Sequence, residues 1–231
     1  MKIQKQIFCR KPSLEEMKAL LSLGVTHIGW VLKNSETSEI KLSESIIQEA
    51  KKEKVETVLL ITEQTVKSLK QVALTLCPDY LLIAAEHIGI SIQEQDLPEL
   101  AKQISPKTLL MMSVPVRVSG SSLKINSVEL AKRYQSYAGC LILDTRLDPE
   151  ENSLCGCTGR TNDWDICAEI VASVHCKVML AGGLEPSNIA SAIRKVRPWG
   201  VDACTALEHS DQSKDLEKCA SFIRAVDMES I

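Results

Sequence analysis

No apolar run in this sequence approaches the length of a membrane span. The first ten residues, Met1 to Arg10, lack the apolar stretch and small-residue cleavage site of a secretory signal. A surplus of charge is missing too. With 27 Lys and Arg against 30 Asp and Glu, the net charge of −3 gives no global field for nucleic acid or an anionic membrane. The nine cysteines are an odd number in a chain without an export signal, which argues for reduced thiols in a cytoplasmic protein. Cys140 and Cys176 sit inside apolar runs and read as small core residues. Zinc-type spacing is absent: Cys155-Gly156-Cys157 has no second Cys or Cys/His pair at a usual distance, so no metal is expected. Neither a linker nor a composition shift marks a second domain, and no segment repeats.

What is present is an alternation. Strand-length apolar runs alternate with helix-period segments eight times along the 231 residues. The strands read Ile3–Cys9, Thr26–Leu32, Val55–Ile61, Tyr80–Ala84, Thr108–Val114, Cys140–Leu143 (ending at Asp144), Lys177–Leu180 and Gly200–Cys204. The helices read Ser13–Leu23, Ser43–Lys54, Glu63–Leu76, Leu97–Ile104, Asn126–Ser136, Asp163–Ser173, Pro186–Val196 and Asp215–Val226. Ser13 with Glu16 three residues on has capping-box spacing, and Gly24 ends that first helix. Continuous apolar strands are those buried on both faces, and strand–helix alternation implies a parallel sheet with right-handed crossovers. Eight units in this length match a single (β/α)8 barrel over residues 1–231 better than an open sheet.

In such barrels chemistry sits where strands end. That rule selects Cys9, Lys33, Glu86, Pro115, Asp144, Gly182, Gly183, Cys204 and Thr205. Ala181-Gly182-Gly183-Leu184 follows strand seven, and Cys204-Thr205-Ala206 follows strand eight. Glycines let a backbone approach a phosphate, exposed amides at a helix start favour an anion, and these are the two positions where barrels commonly hold one. A plain tight turn is the competing reading. Asp144 closes an apolar run, where partial desolvation suits a general acid; a turn cap or a partner for Arg146 is the alternative. Cys9 ends strand one beside Arg10 and Lys11, which would favour a thiolate, although on its own it reads as a small buried residue. The histidines His27, His87, His175 and His209 have no spacing that argues catalysis.

These residues resemble phosphoribosylanthranilate isomerases. Leu143-Asp144-Thr145 is similar to that family's strand-six ending. The run Gly156-Cys157-Thr158-Gly159 through Asp163-Trp164 resembles its glycine-rich loop before Phe-Asp-Trp. Leu180 through Asn188 resembles its Gly-Gly-Leu-x-Pro-x-Asn segment, and Arg197-Pro198-Trp199-Gly200-Val201-Asp202, Glu208 and Lys214-Asp215 continue the pattern. Phe8-Cys9 and Ile28-Gly29-Trp30-Val31 resemble its first two strands. The resemblance spans nearly the whole chain. It implies an Amadori rearrangement of N-(5-phosphoribosyl)anthranilate in tryptophan biosynthesis, a small phosphosugar substrate, and no cofactor. By motif match it implies Asp144 as the acid that opens the furanose ring and Cys9 as the base at C2. Gly182, Gly183, Cys204, Thr205 and Ala206 would hold the phosphate, with Gly156, Cys157 and Thr158 as the substrate loop.

The departures bear on substrate contacts. The family's Arg after strand two is absent from Lys33–Glu39, and Lys33 or Lys41 would have to meet the anthranilate carboxylate without a bidentate fork. The Gln-Leu-His-Gly of strand four appears as Leu82-Ile83-Ala84-Ala85. Ala206 replaces a glycine of the phosphate loop, a poor exchange if that backbone needs positive φ. A related barrel enzyme on another sugar phosphate, or a non-catalytic phosphosugar-binding descendant, stays open on the sequence.

Overall fold

The computed structural model describes residues 2–33, 36–85, 89, 91–147, 156 and 158–229. Their strands are β1 (Gln4–Cys9), β2 (His27–Leu32), β3 (Glu56–Ile61), β4 (Tyr80–Ile83), β5 (Leu109–Arg117), β6 (Cys140–Arg146), β7 (Lys177–Leu180) and β8 (Gly200–Ala203). Between and after them run α1 (Leu14–Ser22), α2 (Thr37–Lys52), α3 (Val66–Leu76), α4 (Leu97–Ile104), α5 (Ser127–Tyr134), α6 (Trp164–Ser173), α7 (Ile189–Val196) and α8 (Leu216–Glu229). The strands are all parallel and close in chain order, β8 returning to β1 with Gln6 opposite Asp202. This is the (β/α)8 barrel expected from the alternation. Among the described residues no helix is long and apolar enough to cross a membrane.

Local chemistry sets the element ends. Ser13 accepts the amide of Glu16 at 3.1 Å to start α1, and Thr65 with Ser68 forms a full capping box at α3. Helix α7 buries Ile189, Ala192, Ile193 and Val196, the i, i+3, i+4, i+7 stripe. It stops at Arg197, left-handed at φ 53° and followed by Pro198. Several boundaries differ from expectation by three residues or more, and three of them have a contact behind them. Helix α2 begins at Thr37 rather than Ser43, its Glu39 carboxylate accepting the Lys33 amide at 2.9 Å. Strands β5 and β6 run on to Arg117 and Arg146 because they pair with each other to the end, Pro115 opposite Asp144 and Arg117 opposite Arg146.

Side chains alternate between two cores. The larger lies between strands and helices and includes Ile7, Cys9, Leu20, Cys219 and Phe222. The smaller fills the barrel lumen with Val58, Tyr80, Met111, Cys140, Ile142, Met179 and Ala181. At the N-terminal end of the lumen His27 pairs with Glu56 at 2.8 Å, and Lys177 lies 4.6 Å from the Trp199 ring.

Candidate active site

Above the lumen core, at the C-terminal ends of the strands, is a cavity of about 230 Å³. Asp144 enters it from β6, Gly182 and Gly183 from the loop after β7, and Cys204, Thr205 and Ala206 from the end of β8. Gly156, Thr158 and Gly159 close one side, and Phe8, Ser113 and Asp202 line it as well. Eight of the sequence-selected residues thus share one space, from Asp144, Gly156 and Thr158 to the five of the two phosphate-type loops. Cys157 lies outside the described residues, as do Glu86, His87 and Cys155.

Asp144 is half-buried, and its Oδ1 accepts the amide of Thr145 at 2.8 Å. Gly156 covers the other oxygen: a Cβ built there would stand 2.2 Å from Asp144 Oδ2, and the residue holds φ at +86°. Its amide donates to Thr145 O at 2.9 Å. The glycine lets the loop lie directly on the carboxylate, shielding one flank from water. Behind this wall Thr145 donates its hydroxyl to Arg160 O at 2.7 Å. The buried Asn162 amide donates to Leu143 O and Ala181 O at 3.3 and 3.2 Å, tying the loop to β6 and β7.

The Gly182-Gly183 turn needs glycine on two counts. Both residues have positive φ, +84° and +60°. A Cβ at Gly183 would meet the backbone of Arg160 and Thr161 at 2.5 and 2.6 Å. Asn188 fixes the turn from α7, its Nδ2 donating to Gly183 O at 2.9 Å while its Oδ1 accepts from Glu185 N at 3.0 Å. Across the mouth, Thr205–Leu207 forms one 3-10 turn whose first internal bond is donated by Leu207 to Cys204 O. The amides of Thr205 and Ala206 precede it, where such a turn has donors to spare. Ala206 is not among the positive-φ residues, so alanine fits this backbone without strain.

Cys9 departs from its expected place. Lys5 reaches outward to Asp227 of α8 at 2.6 Å, and strand alternation therefore turns Ile7 and Cys9 outward as well. Cys9 is fully buried among the helices, with Lys214, Glu16 and Cys219 as its charged or titratable neighbours. Burial pushes its thiol well above the ordinary range, against the pull of Lys214 and contrary to the thiolate expected from Arg10 and Lys11. Arg10 is instead held by Glu208, with Nε 3.1 and 3.2 Å from the two carboxylate oxygens. The lumen-facing position of β1 at the cavity belongs to Phe8, whose ring lies over Gly29; a Cβ on Gly29 would sit 2.3 Å from Phe8 Cδ2.

Two features had no role assigned from the sequence, although the family resemblance runs through Asp202, Glu208 and Lys214. The first is a buried ionic cluster behind β8. Lys214 Nζ, fully enclosed, donates to Glu208 Oε1 and Cys204 O, both at 3.0 Å, and Glu16 accepts the Lys214 amide at 2.7 Å. Burial opposes the charged Glu208 carboxylate, yet hydrogen bonds from Arg10 and Lys214 outweigh it and hold the carboxyl below its usual value. The second is Asp202, 7% exposed, on the lumen face of β8. Its signal was a carboxylate inside the apolar run Gly200–Cys204.

A family model described as N-(5'phosphoribosyl)anthranilate (PRA) isomerase matches residues 103–225. An N-(5'-phosphoribosyl)anthranilate isomerase of Methanocella arvoryzae is 33% identical over 141 residues, 60% of this chain and 61% of the relative, so the match spans about three fifths of that relative's length. One from Leptospira interrogans is 29% identical over 222 residues, 94% of this chain and 92% of the relative. Among solved structures, a phosphoribosyl anthranilate isomerase in complex with reduced 1-(o-carboxyphenylamino)-1-deoxyribulose 5-phosphate superposes with a TM-score of 0.70. It is 20% identical and covers 97% of this chain and 98% of its own, a likeness of fold.

Proposed function

This chain belongs to the N-(5'-phosphoribosyl)anthranilate isomerase family, and on that premise we propose that it catalyses the Amadori rearrangement of N-(5'-phosphoribosyl)anthranilate in tryptophan biosynthesis. The observation that carries the reading is the single cavity holding an inward carboxylate, Asp144, opposite two loops with amide donors. Asp144 protonates the ring oxygen, the furanose C1–O bond breaks, and the amine nitrogen shares its lone pair to form an iminium at C1. A base then takes the C2 proton to give an enolamine, which becomes the 1-amino-2-ketose as C1 gains a proton and the C2 hydroxyl loses one. The atoms of substrate and product are the same, and the steps call only for acid, base and positioning.

The phosphate sits between Gly183 and the Thr205-Ala206 amides, where the glycine turn brings backbone within reach. Gly182 and Cys204 shape the two loops, and Gly156 and Thr158 flank the sugar. Lys33 and Lys11 line a second cavity at the ends of β1 and β2 and supply cationic partners for the anthranilate carboxylate. The chain works as a cytoplasmic small-molecule enzyme with neither nucleic acid nor membrane as partner. Cys9, turned to the helices, favours a second reading, a phosphosugar-binding protein without turnover. Purified protein incubated with phosphoribosylanthranilate decides between them: loss of the anthranilate-type fluorescence supports the isomerase, and binding without that loss supports the second reading.

A further inference from the structure

The isomerase reading needs a base at C2, and Cys9 faces the helix layer. Among the described residues lining the cavity, the ionisable side chains are Asp144, Asp202 and Cys204. The Cys204 thiol donates toward Glu208 Oε1 at 3.5 Å, and Lys214 Nζ stands 3.7 Å from its sulfur, so it belongs to the ionic cluster. Asp202 is different. It lines the cavity, and it lies opposite Gln6, the lumen-facing residue of β1 one step below Phe8.

Register places Asp202 relative to Asp144. Leu143 of β6 pairs with Leu180 of β7, and Leu180 pairs with Val201 of β8. One residue further along each strand, Asp144, Ala181 and Asp202 form a row. Two inter-strand steps separate the carboxylate-bearing backbones by about 10 Å along the sheet, less across the curved barrel. Ala181, buried in the lumen cluster, is the small residue between them. Two inward carboxylates with an alanine between leave a gap on the scale of a furanose ring.

We propose that Asp202 is the general base that removes the C2 proton, in place of a thiol on β1. The proposal rests on the isomerase reading. Its balance is simple: the C2–H bond breaks, its electron pair forms the C1=C2 bond of the enolamine, and the proton goes to the Asp202 carboxylate. The same proton is then available to C1 as the ketone forms, so no co-reactant enters.

The test compares turnover of phosphoribosylanthranilate with binding of the reduced 1-(o-carboxyphenylamino)-1-deoxyribulose 5-phosphate. Asp202→Asn is expected to lower kcat by ~10²–10⁴-fold, the usual contribution of such a group, with analogue affinity retained. Cys9→Ala is expected to turn over at close to the wild-type rate. Phe8→Cys placed in the Asp202→Asn background puts a thiol on the lumen side of β1 and should restore part of the lost rate. Where Asp202→Asn fails to bind the analogue, Asp202→Glu decides: measurable turnover supports the base, and its absence in a folded, analogue-binding protein overturns it. Full activity of Asp202→Asn in an active enzyme overturns this inference alone. A wild-type protein that binds the analogue but shows no turnover overturns the isomerase reading and the inference together.

Discussion

Replacing Gly183 by valine strikes the phosphate loop through its backbone. Gly183 holds φ at +60°, a conformation that costs an L-residue ~1–2 kcal/mol and a β-branched one more. The new Cβ would stand 2.5 Å from the Arg160 carbonyl carbon and 2.6 Å from the Thr161 nitrogen. Neither is the movable end of a side chain, so the β7–α7 turn and the 158–163 loop must part, an overpacking cost of ~1–3 kcal/mol. The two effects sum to ~2–5 kcal/mol of stability. At about 2–4 °C per kcal/mol for a chain of this size, the unfolding midpoint falls by roughly 4–20 °C. Parting the loops also moves the Gly183 amide off the anion, and losing charge-assisted hydrogen bonds weakens phosphate-ligand binding by ~2 kcal/mol or more, about 30-fold. Thermal unfolding by circular dichroism and calorimetry with the reduced product analogue measure the two. An unchanged midpoint with unchanged affinity would refute both the loop geometry and its role in binding the phosphate.

Other expectations follow from single contacts. Gly156→Ala drives a methyl against Asp144 Oδ2; an ångström of misplacement costs on the order of 10²-fold in rate, and an unaffected kcat would contradict the shielding of that carboxylate. Lys214→Met leaves Glu208 buried with Arg10 as its remaining cation, and denaturant unfolding should show a loss of ~3–5 kcal/mol. Glu208 has a folded-state pKa below its ordinary 4.5, so its stabilising contribution is complete above that value and is lost as pH falls through the lower folded one. The acid fall in unfolding midpoint should therefore be shallower in Glu208→Gln than in wild type.

The barrel and most of its mouth were legible because their signals are local. A glycine pair after a short apolar strand, or an aspartate ending one, marks a strand end whatever the rest of the fold does. Which way a side chain faces is less legible when a strand carries polar residues on both faces. β1 reads Gln-Lys-Gln-Ile-Phe-Cys; Lys5 goes outward to Asp227 and Gln6 inward, so hydrophobicity does not set the parity, and one step exchanges Phe8 for Cys9. The Arg10–Glu208–Lys214 cluster was illegible for another reason. Its members come together only when β8 closes on β1. Helix α2 starts early through Thr37-Ser38-Glu39, which carry no apolar residue to extend the periodicity.

The central claim, that the cavity around Asp144 performs an acid-assisted isomerisation, is tested most directly by the Asp144→Asn rate. Asn keeps the shape and can accept the Thr145 amide, but it has no proton to give the ring oxygen. With phosphoribosylanthranilate followed by fluorescence, the account predicts kcat lower than wild type by ~10²–10⁴-fold, with the fold and analogue affinity unchanged. An Asp144→Asn protein turning over at the wild-type rate would contradict it.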